Sequence, residues 1–347
     1  MTAAETCPSS ATRIALVMPA HKLGADFEAS VRSVEQLDPP PEEFVIVVDG
    51  NPEMARQLAP FHDVIEIGSS GPAAARNAGV AGTSSAIVLF VDSDVIVPAN
   101  LITLVRRAFA MNGAQRVDAI VGSYDASPAS PTVVSQFRNL LHHWTHQQAG
   151  GAGHTFWGAC GAVYRTAFDA VGGFDERYDD ATIEDIELGE RLTAAGFHIE
   201  MVPWVQVTHL KQWTLTGMVH TDVAKRGIPW SRLILSNRSM ANDLNTTWAA
   251  RINVAMAALF AGALVGAVGV PSSRLKLRLV AIAAALGATL SWRDRRFLRF
   301  LRRGRSTVFA IQSLPLLWIH HLCSAAAFAW AVATWPITRN RVRSPRT

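Results

Sequence analysis

Cysteine is scarce in this chain: three in 347 residues, at Cys7, Cys160 and Cys323, far apart and odd in number. That argues against a disulfide framework and fits a reducing compartment. The amino terminus, Met1 to Arg13, has no apolar core of the kind a signal peptide needs, so the first domain is expected in the cytoplasm. No internal repeat is present. The loop after the first strand, Pro19-Ala-His-Lys-Leu-Gly24, lacks the glycine-rich, basic character that nucleotidyl transfer normally shows. What the chain has in excess is apolar residues, at 49%, with a mean hydropathy of +0.18. The excess lies beyond about Trp248, where apolar runs alternate with arginine clusters. The net charge of +4 therefore describes the tail more than the first part.

The first part alternates strands and helices. Arg13 to Pro19, Phe44 to Asp49, Val64 to Ile67, Ala86 to Val91 and Asp118 to Gly122 read as strands. Asp26 to Leu37 carries apolar residues at helical spacing. Pro72 opens a helix over Ala73 to Gly79, and another is expected over Ala99 to Met111. This order predicts an α/β fold with a mainly parallel, doubly wound sheet. Val133 to Gln148 is expected to be helical and to lead into a flexible glycine run. Thr182 is placed as the N-cap of a helix rich in first-turn acids, and Phe197 to Val202 and Val205 to Leu210 are the last two strand candidates.

The Ala86 to Val91 run is apolar throughout, as in a strand buried on both faces, and it ends in Asp92-Ser93-Asp94. Ligands of open α/β sheets collect outside the carboxyl ends of strands. Two acids there suit Mg²⁺ or Mn²⁺, which takes a few carboxylate oxygens and shares its other positions with water and substrate phosphates.

Five motifs in order, Val48-Asp49-Gly50-Asn51, Gly71 to Gly79, Asp92-Ser93-Asp94, Val171-Gly-Gly-Phe-Asp175 and Ile183-Glu-Asp-Ile-Glu187, resemble the family 2 inverting glycosyltransferases of the GT-A fold. The resemblance covers about residues 13 to 215. It implies a nucleotide-sugar site made of Pro19, Asp49, Arg76, Asn77, Asp92 and Ser93. Asp49 would receive the base, Arg76 and Asn77 would lie near the nucleotide, and Asp92 would lie by the ribose. Asp94 would hold the metal, with His209 near it. Asp185 would be the general base, with Glu184 able to share the role. Read without the family, Asp49 caps a strand-end turn, Arg76 is an exposed helix arginine, and His209 is a solvated strand-end histidine. Trp157 and Gly158 are expected on the acceptor side, since an indole face suits a sugar ring or a lipid chain. Cys160 reads as a packing residue. His142 and His146 lie one turn apart without an evident third ligand.

Two departures narrow the family reading. Lys211-Gln212-Trp213 is not the Gln-x-x-Arg-Trp signature of processive synthases, and no glutamine follows Asp94 as in many dolichyl-phosphate sugar synthases.

The expected organisation is a GT-A catalytic domain over 1–212, an amphipathic interfacial segment over 213–248, and a helical membrane region over 249–347. Ile252 to Val270 and Leu314 to Trp335 are long enough to span, and Leu277 to Trp292 is shorter. Seven arginines between Arg293 and Arg305 place that loop in the cytoplasm. A third crossing would then carry the basic end, Arg339 to Arg346, outward, against the same rule. The partners implied are a nucleotide-diphosphate sugar, a lipid-linked or glycan acceptor and the inner membrane, with no nucleic acid. The competing readings are a nucleotidyltransferase and an inactive sugar-nucleotide-binding membrane scaffold.

Overall fold

A computed structural model describes residues 13–111, 116–178, 182–238 and 246–343, with side chains to residue 337. Cys7 and the basic run at residues 339–346 lie outside the described side chains. Contacts divide the chain into two compact units: Met1–Ala129 with Thr145–Lys211, and Ser130–Trp144 with Gln212–Thr347.

The first unit is built on a mixed sheet. Its strands are β1 (Ile14–Ala20), β2 (Glu43–Asp49), β3 (Asp63–Ile67), β4 (Ile87–Val91), β5 (Val95–Ile96), β6 (Ala119–Tyr124), β7 (Gly151–Gly153), β8 (Cys160–Tyr164) and β9 (Ile199–His209). They lie in the order β3-β2-β1-β4-β8-β6-β9-β5, with β7 also on β9. The first four in that order are mutually parallel, as are β6 and β9. β8 runs antiparallel between β4 and β6. The parallel strands are apolar on both faces because helices cover both: Ile14 to Met18, Ile46 to Val48 and Val88 to Val91 are fully buried. The helices are α1 (Ala25–Glu35), α2 (Pro52–Leu58), α3 (Gly71–Ala81), α4 (Leu101–Phe109), α5 (Val133–Gln148), α6 (Arg165–Ala170) and α7 (Glu184–Ala194). Of these, α5 crosses the division between the units at residue 144.

Three local expectations change. The two final strands are one, β9, whose register on β6 slips between Val121 and Ser123. Pro203 sits in the slipped stretch, and its missing N–H explains the break in the ladder. Thr182 does not cap α7. The helix begins after Ile183, and the Glu184 carboxylate at its first position reaches back to accept from the Thr182 N–H at 2.9 Å. The glycine run after α5 contains β7, which pairs with β9.

In the second unit, α8 (Leu215–His220), a π-helical stretch (Thr221–Gly227) and α9 (Ile228–Asn237) form one continuous helical segment. It packs on α13 (Thr307–Arg343) and buries Met218, Asp222 and Leu233. Asp222 pairs with Arg138 at 2.6 Å and with His320 at 2.8 Å. The remaining helices are α10 (Trp248–Gly269), α11 (Ser273–Arg293) and α12 (Arg295–Gly304). Among the described residues three helices are long and apolar enough to cross a membrane: Trp248–Gly269, Ser273–Arg293 and Thr307–Ile337, with mean hydropathies of 2.0, 1.4 and 1.5. The second is longer than its apolar core suggests, because basic residues at both ends continue the helix. Its 21 residues correspond to about 30 Å, the thickness of a bilayer core.

Candidate active site

The strand ends converge as the fold class requires. Asp49 closes β2, and its two oxygens accept from the backbone N–H groups of Ser70 at 2.8 Å and Gly71 at 3.0 Å. A carboxylate is well placed there, at the positive end of α3. The turn after β4 is pinned from α1. Ser30 Oγ donates to the Val95 carbonyl at 2.6 Å, and Ser33 Oγ accepts from the Val97 N–H at 3.1 Å. Neither serine stands out in the sequence, because each reaches a partner more than sixty positions away.

Arg76 is neither exposed nor directed at open solvent. It is 4% exposed, donating to Asp92 Oδ1 at 2.8 Å and to Glu184 Oε1 at 2.9 Å. Its guanidinium lies over the Phe174 ring, 5.4 Å from the centroid. The next residue, Asn77, grips the same loop. It donates to the Phe174 carbonyl and Glu176 Oε1, and accepts from the Phe174 N–H, each at 2.9 Å. Gly173 sits beside it at φ 71°, where an added Cβ would lie 2.7 Å from Asn77 Oδ1. Arg76 and Asn77 thus join three motifs, Asp92-Ser93-Asp94, Gly172 to Asp175 and Glu184-Asp185, into one body.

Glu184 is used up by this arrangement: one oxygen takes Arg76 and the other the Thr182 N–H. Asp185 is oriented differently, by backbone N–H groups. Its Oδ2 accepts from Gly158 at 3.2 Å and its Oδ1 from Ile186 at 2.8 Å. Gly158 also lies against the guanidinium; a Cβ there would stand 2.8 Å from Arg76 Cζ. One glycine therefore serves both the arginine and the adjacent acid.

Asp94 and His209 meet through strand pairing. β5 runs antiparallel to β9 and sets Val95 opposite His209. The Leu210 N–H donates to the Asp94 carbonyl at 2.9 Å, and the imidazole Nε2 lies 3.5 Å from Asp94 Oδ2. His209 is buried, and its ring stacks on Tyr124 with centroids 4.3 Å apart and planes 7° from parallel. Trp157 supports Tyr124 edge-on at 4.7 Å and meets His146 at 4.8 Å. At 6% exposure the indole is a packing element, not the open acceptor platform expected from its type. His146 is likewise buried, with Nδ1 3.0 Å from the Gly122 carbonyl. This orients it for packing, and it joins no group of three or more metal-ligating side chains among the described residues.

The two acids of the Asp-x-Asp turn are displaced in opposite directions. Burial lifts the Asp92 carboxyl above its ordinary value against the pull of Arg76, and neighbouring Asp94 adds to the rise. Burial also opposes ionisation of Asp94, but His209, by hydrogen bonding and charge, together with Lys211 holds it below its ordinary value. Cys160 is fully buried and pushed up to about 12 by burial, then by Asp92, which makes it a packing residue and not a nucleophile.

No group of three or more His, Cys, Asp or Glu side chains able to hold a metal occurs among the described residues. A metal cage made of protein alone is therefore not built here. Asp94 with His209 does match a cation that fills its remaining positions with water and a diphosphate, and the Asp94 side chain keeps 36% of its exposure for it.

Comparison with known proteins agrees with the geometry. Residues 15–172 match the family described as glycosyl transferase family 2, and residues 139–213 match the one described as N-terminal domain of galactosyltransferase. A stretch of 54 residues is 50% identical to N-acetylglucosaminyl-diphospho-decaprenol L-rhamnosyltransferase of Mycobacterium tuberculosis, from both strain CDC 1551 / Oshkosh and strain ATCC 25618 / H37Rv. That stretch is 16% of this chain and spans only 17% of the relatives' length. Mannosyltransferase PcManGT from Pyrobaculum calidifontis, solved with GDP-Man and Mn²⁺, aligns over 98% of this chain and 91% of its own, with TM-score 0.46 and 17% identity. The family match runs from β1 past α6 and takes in Asp49, Arg76, Asn77, Asp92 and Asp94; over these residues, a little under half of the chain, the sequence is similar to glycosyl transferase family 2.

Proposed function

We propose that the chain transfers a sugar, with inversion, from a nucleoside-diphosphate sugar to a lipid-linked or glycan acceptor at the cytoplasmic face of the inner membrane. The observation that carries this reading is the division of labour between neighbouring acids. Glu184 is committed to Arg76, while Asp185 is held by the backbone of Gly158 and Ile186. Asp185 is then the base: it takes the proton of the acceptor hydroxyl as that oxygen bonds to C1, and the C1–O bond to the diphosphate breaks on the opposite face. Asp49 receives the base of the nucleotide, since each of its oxygens keeps a second lone pair for a ring N–H. Asp92, with Ser93 beside it and Pro19 at the end of β1, borders the ribose side. A Mg²⁺ or Mn²⁺ ion on Asp94 and His209 would supply the positive charge that lets the diphosphate leave without a protonated acid.

Membrane action is supported by the three long apolar helices and by the arginines between the second and third. A lipid-linked acceptor is supported by the matched segment of a relative named for a diphospho-decaprenol substrate. The working division is a catalytic domain over 1–212, an interfacial segment over 213–248 and membrane helices over 249–347, acting in the cell envelope.

The test is transfer by the full chain in membranes supplied with candidate nucleotide sugars, reading both leaving group and product. Release of nucleoside diphosphate with an inverted anomeric centre is expected. Release of pyrophosphate, or retention at C1, would overturn the reading.

A further inference from the structure

The arginine run between the second and third apolar helices has more structure than a charge count implies. On α12, Arg295, Arg299 and Arg302 fall at i, i+4 and i+7, one face of the helix. Phe297 and Leu301 face the opposite way and are buried. The arginine face lines an open surface cavity of about 280 Å³, bordered also by Leu298 of the same helix and by Thr307, Ala310, Ile311 and Leu314 of α13. Among the described residues none of the three arginines is ion-paired with a carboxylate; Arg295 lies over Trp292, and Arg299 Nε donates to the Arg295 carbonyl at 3.2 Å. Three uncompensated guanidinium groups beside an apolar wall at the start of a spanning helix match an anion that carries a hydrocarbon chain.

We propose that this cavity binds the phosphodiester headgroup of an anionic membrane phospholipid, with the guanidiniums on the phosphate and an acyl chain along Ile311 and Leu314. The occupant is a lipid and not free phosphate, because half of the lining is apolar and would gain nothing from a hydrated ion. It is a bilayer component and not the sugar acceptor, because all eight lining residues come from α12 and α13 and none from the motifs that form the transfer site. The ion pairs would hold the turn between the two helices at the cytoplasmic surface.

The test uses the purified full chain in neutral detergent, with binding of dioleoyl phosphatidylglycerol and dioleoyl phosphatidylcholine followed by native mass spectrometry. Saturable binding of phosphatidylglycerol is expected, with affinity at least about tenfold above phosphatidylcholine. Arg295→Gln/Arg299→Gln/Arg302→Gln should abolish that preference, and Arg299→Gln alone should weaken it. Arg296→Gln/Arg303→Gln, off the cavity, should leave it within about twofold, with unchanged melting for all three variants. Equal binding of the two lipids, or equal loss in the two multiple variants, would overturn the proposal in favour of diffuse surface charge. Displacement by inorganic phosphate would make the cavity a free-anion site, and stronger binding of a polyprenyl phosphate would make it an acceptor site; either result also overturns it.

Discussion

The Arg76 guanidinium and the Glu184 carboxylate meet at 2.9 Å across 108 positions of sequence, each side chain 5% exposed. Because Arg76 also holds Asp92 at 2.8 Å, it carries a countercharge shared by the Asp-x-Asp turn and the helix that presents Asp185. Burial works against its charge, but Asp92, Glu184 and Asp185 outweigh that and keep it protonated.

Removing that countercharge leaves the buried Glu184 carboxylate without its cation, and the part-exposed Asp92 without its partner. Arg76→Gln is expected to destabilise the full chain by about 3–5 kcal/mol, as breaking a buried pair does. Arg76→Lys should recover only part, since an ammonium lacks the fork that serves both acids. Thermal unfolding in detergent reads the outcome; a Gln variant as stable as the parent would remove the bridging role.

Gly158→Ala probes the same body without changing a charge. Its Cβ would press on the guanidinium at 2.8 Å, so Arg76 or the Gly158 N–H to Asp185 must shift. A stability loss of about 1–3 kcal/mol is expected, with a fall in turnover larger than in donor affinity. Wild-type rates in this variant would show that the contact is slack.

Local pattern made some of this legible and distance hid the rest. The buried strands announce themselves as unbroken apolar runs, and Asp49, Asp92 and Asp94 follow from standing at strand ends. Arg76 was readable as a motif member, but its partners, 16 and 108 positions away, depend on tertiary packing that no window of sequence contains. Asn77 is similar: the family resemblance implies a place near the nucleotide, and its amide clasps Phe174 and Glu176. Two-residue β5 is too short for any periodicity, yet its pairing with β9 brings His209 to Asp94. Thr182 is not the cap because α7 starts one residue later, after Ile183, which leaves the Thr182 hydroxyl buried without a hydrogen-bond partner.

Tyr124 has no predicted chemistry, but its ring forms the wall behind His209. Tyr124→Ala should raise the Mg²⁺ or Mn²⁺ concentration for half-maximal turnover by about 10–100-fold, the usual effect of losing a group that orients a ligand. Tyr124→Phe keeps the stacking and should lie near wild type. An unchanged metal dependence in the alanine variant would detach His209 from the metal.

Asp222 sets an acid limit in the second unit. Burial pushes its carboxyl up, but Arg138 first, then His320 and Arg226, bring it from 3.8 down to about 2. A depressed folded value means stabilisation that is complete above about pH 3.8 and lost as pH falls toward 2. The contribution is about 2 kcal/mol. Asp222→Asn should lower the melting temperature at neutral pH and flatten its decline between those values. An identical pH profile in both proteins would contradict this.

The central claim is that Asp185, and not Glu184, takes the proton of the acceptor. Asp185→Asn keeps the shape of the group and cannot accept a proton at neutral pH. General-base catalysis predicts a fall in turnover of about 10²–10⁴-fold with donor dissociation almost unchanged. Glu184→Gln removes a charge from Arg76, so it should act mainly on melting temperature and less on rate at a temperature where the protein is folded. Single-turnover rates and donor binding for both variants, measured on the full chain, decide between them. A large rate loss confined to Asp185→Asn is the expected result; an active Asp185→Asn enzyme would contradict the assignment and place the base elsewhere.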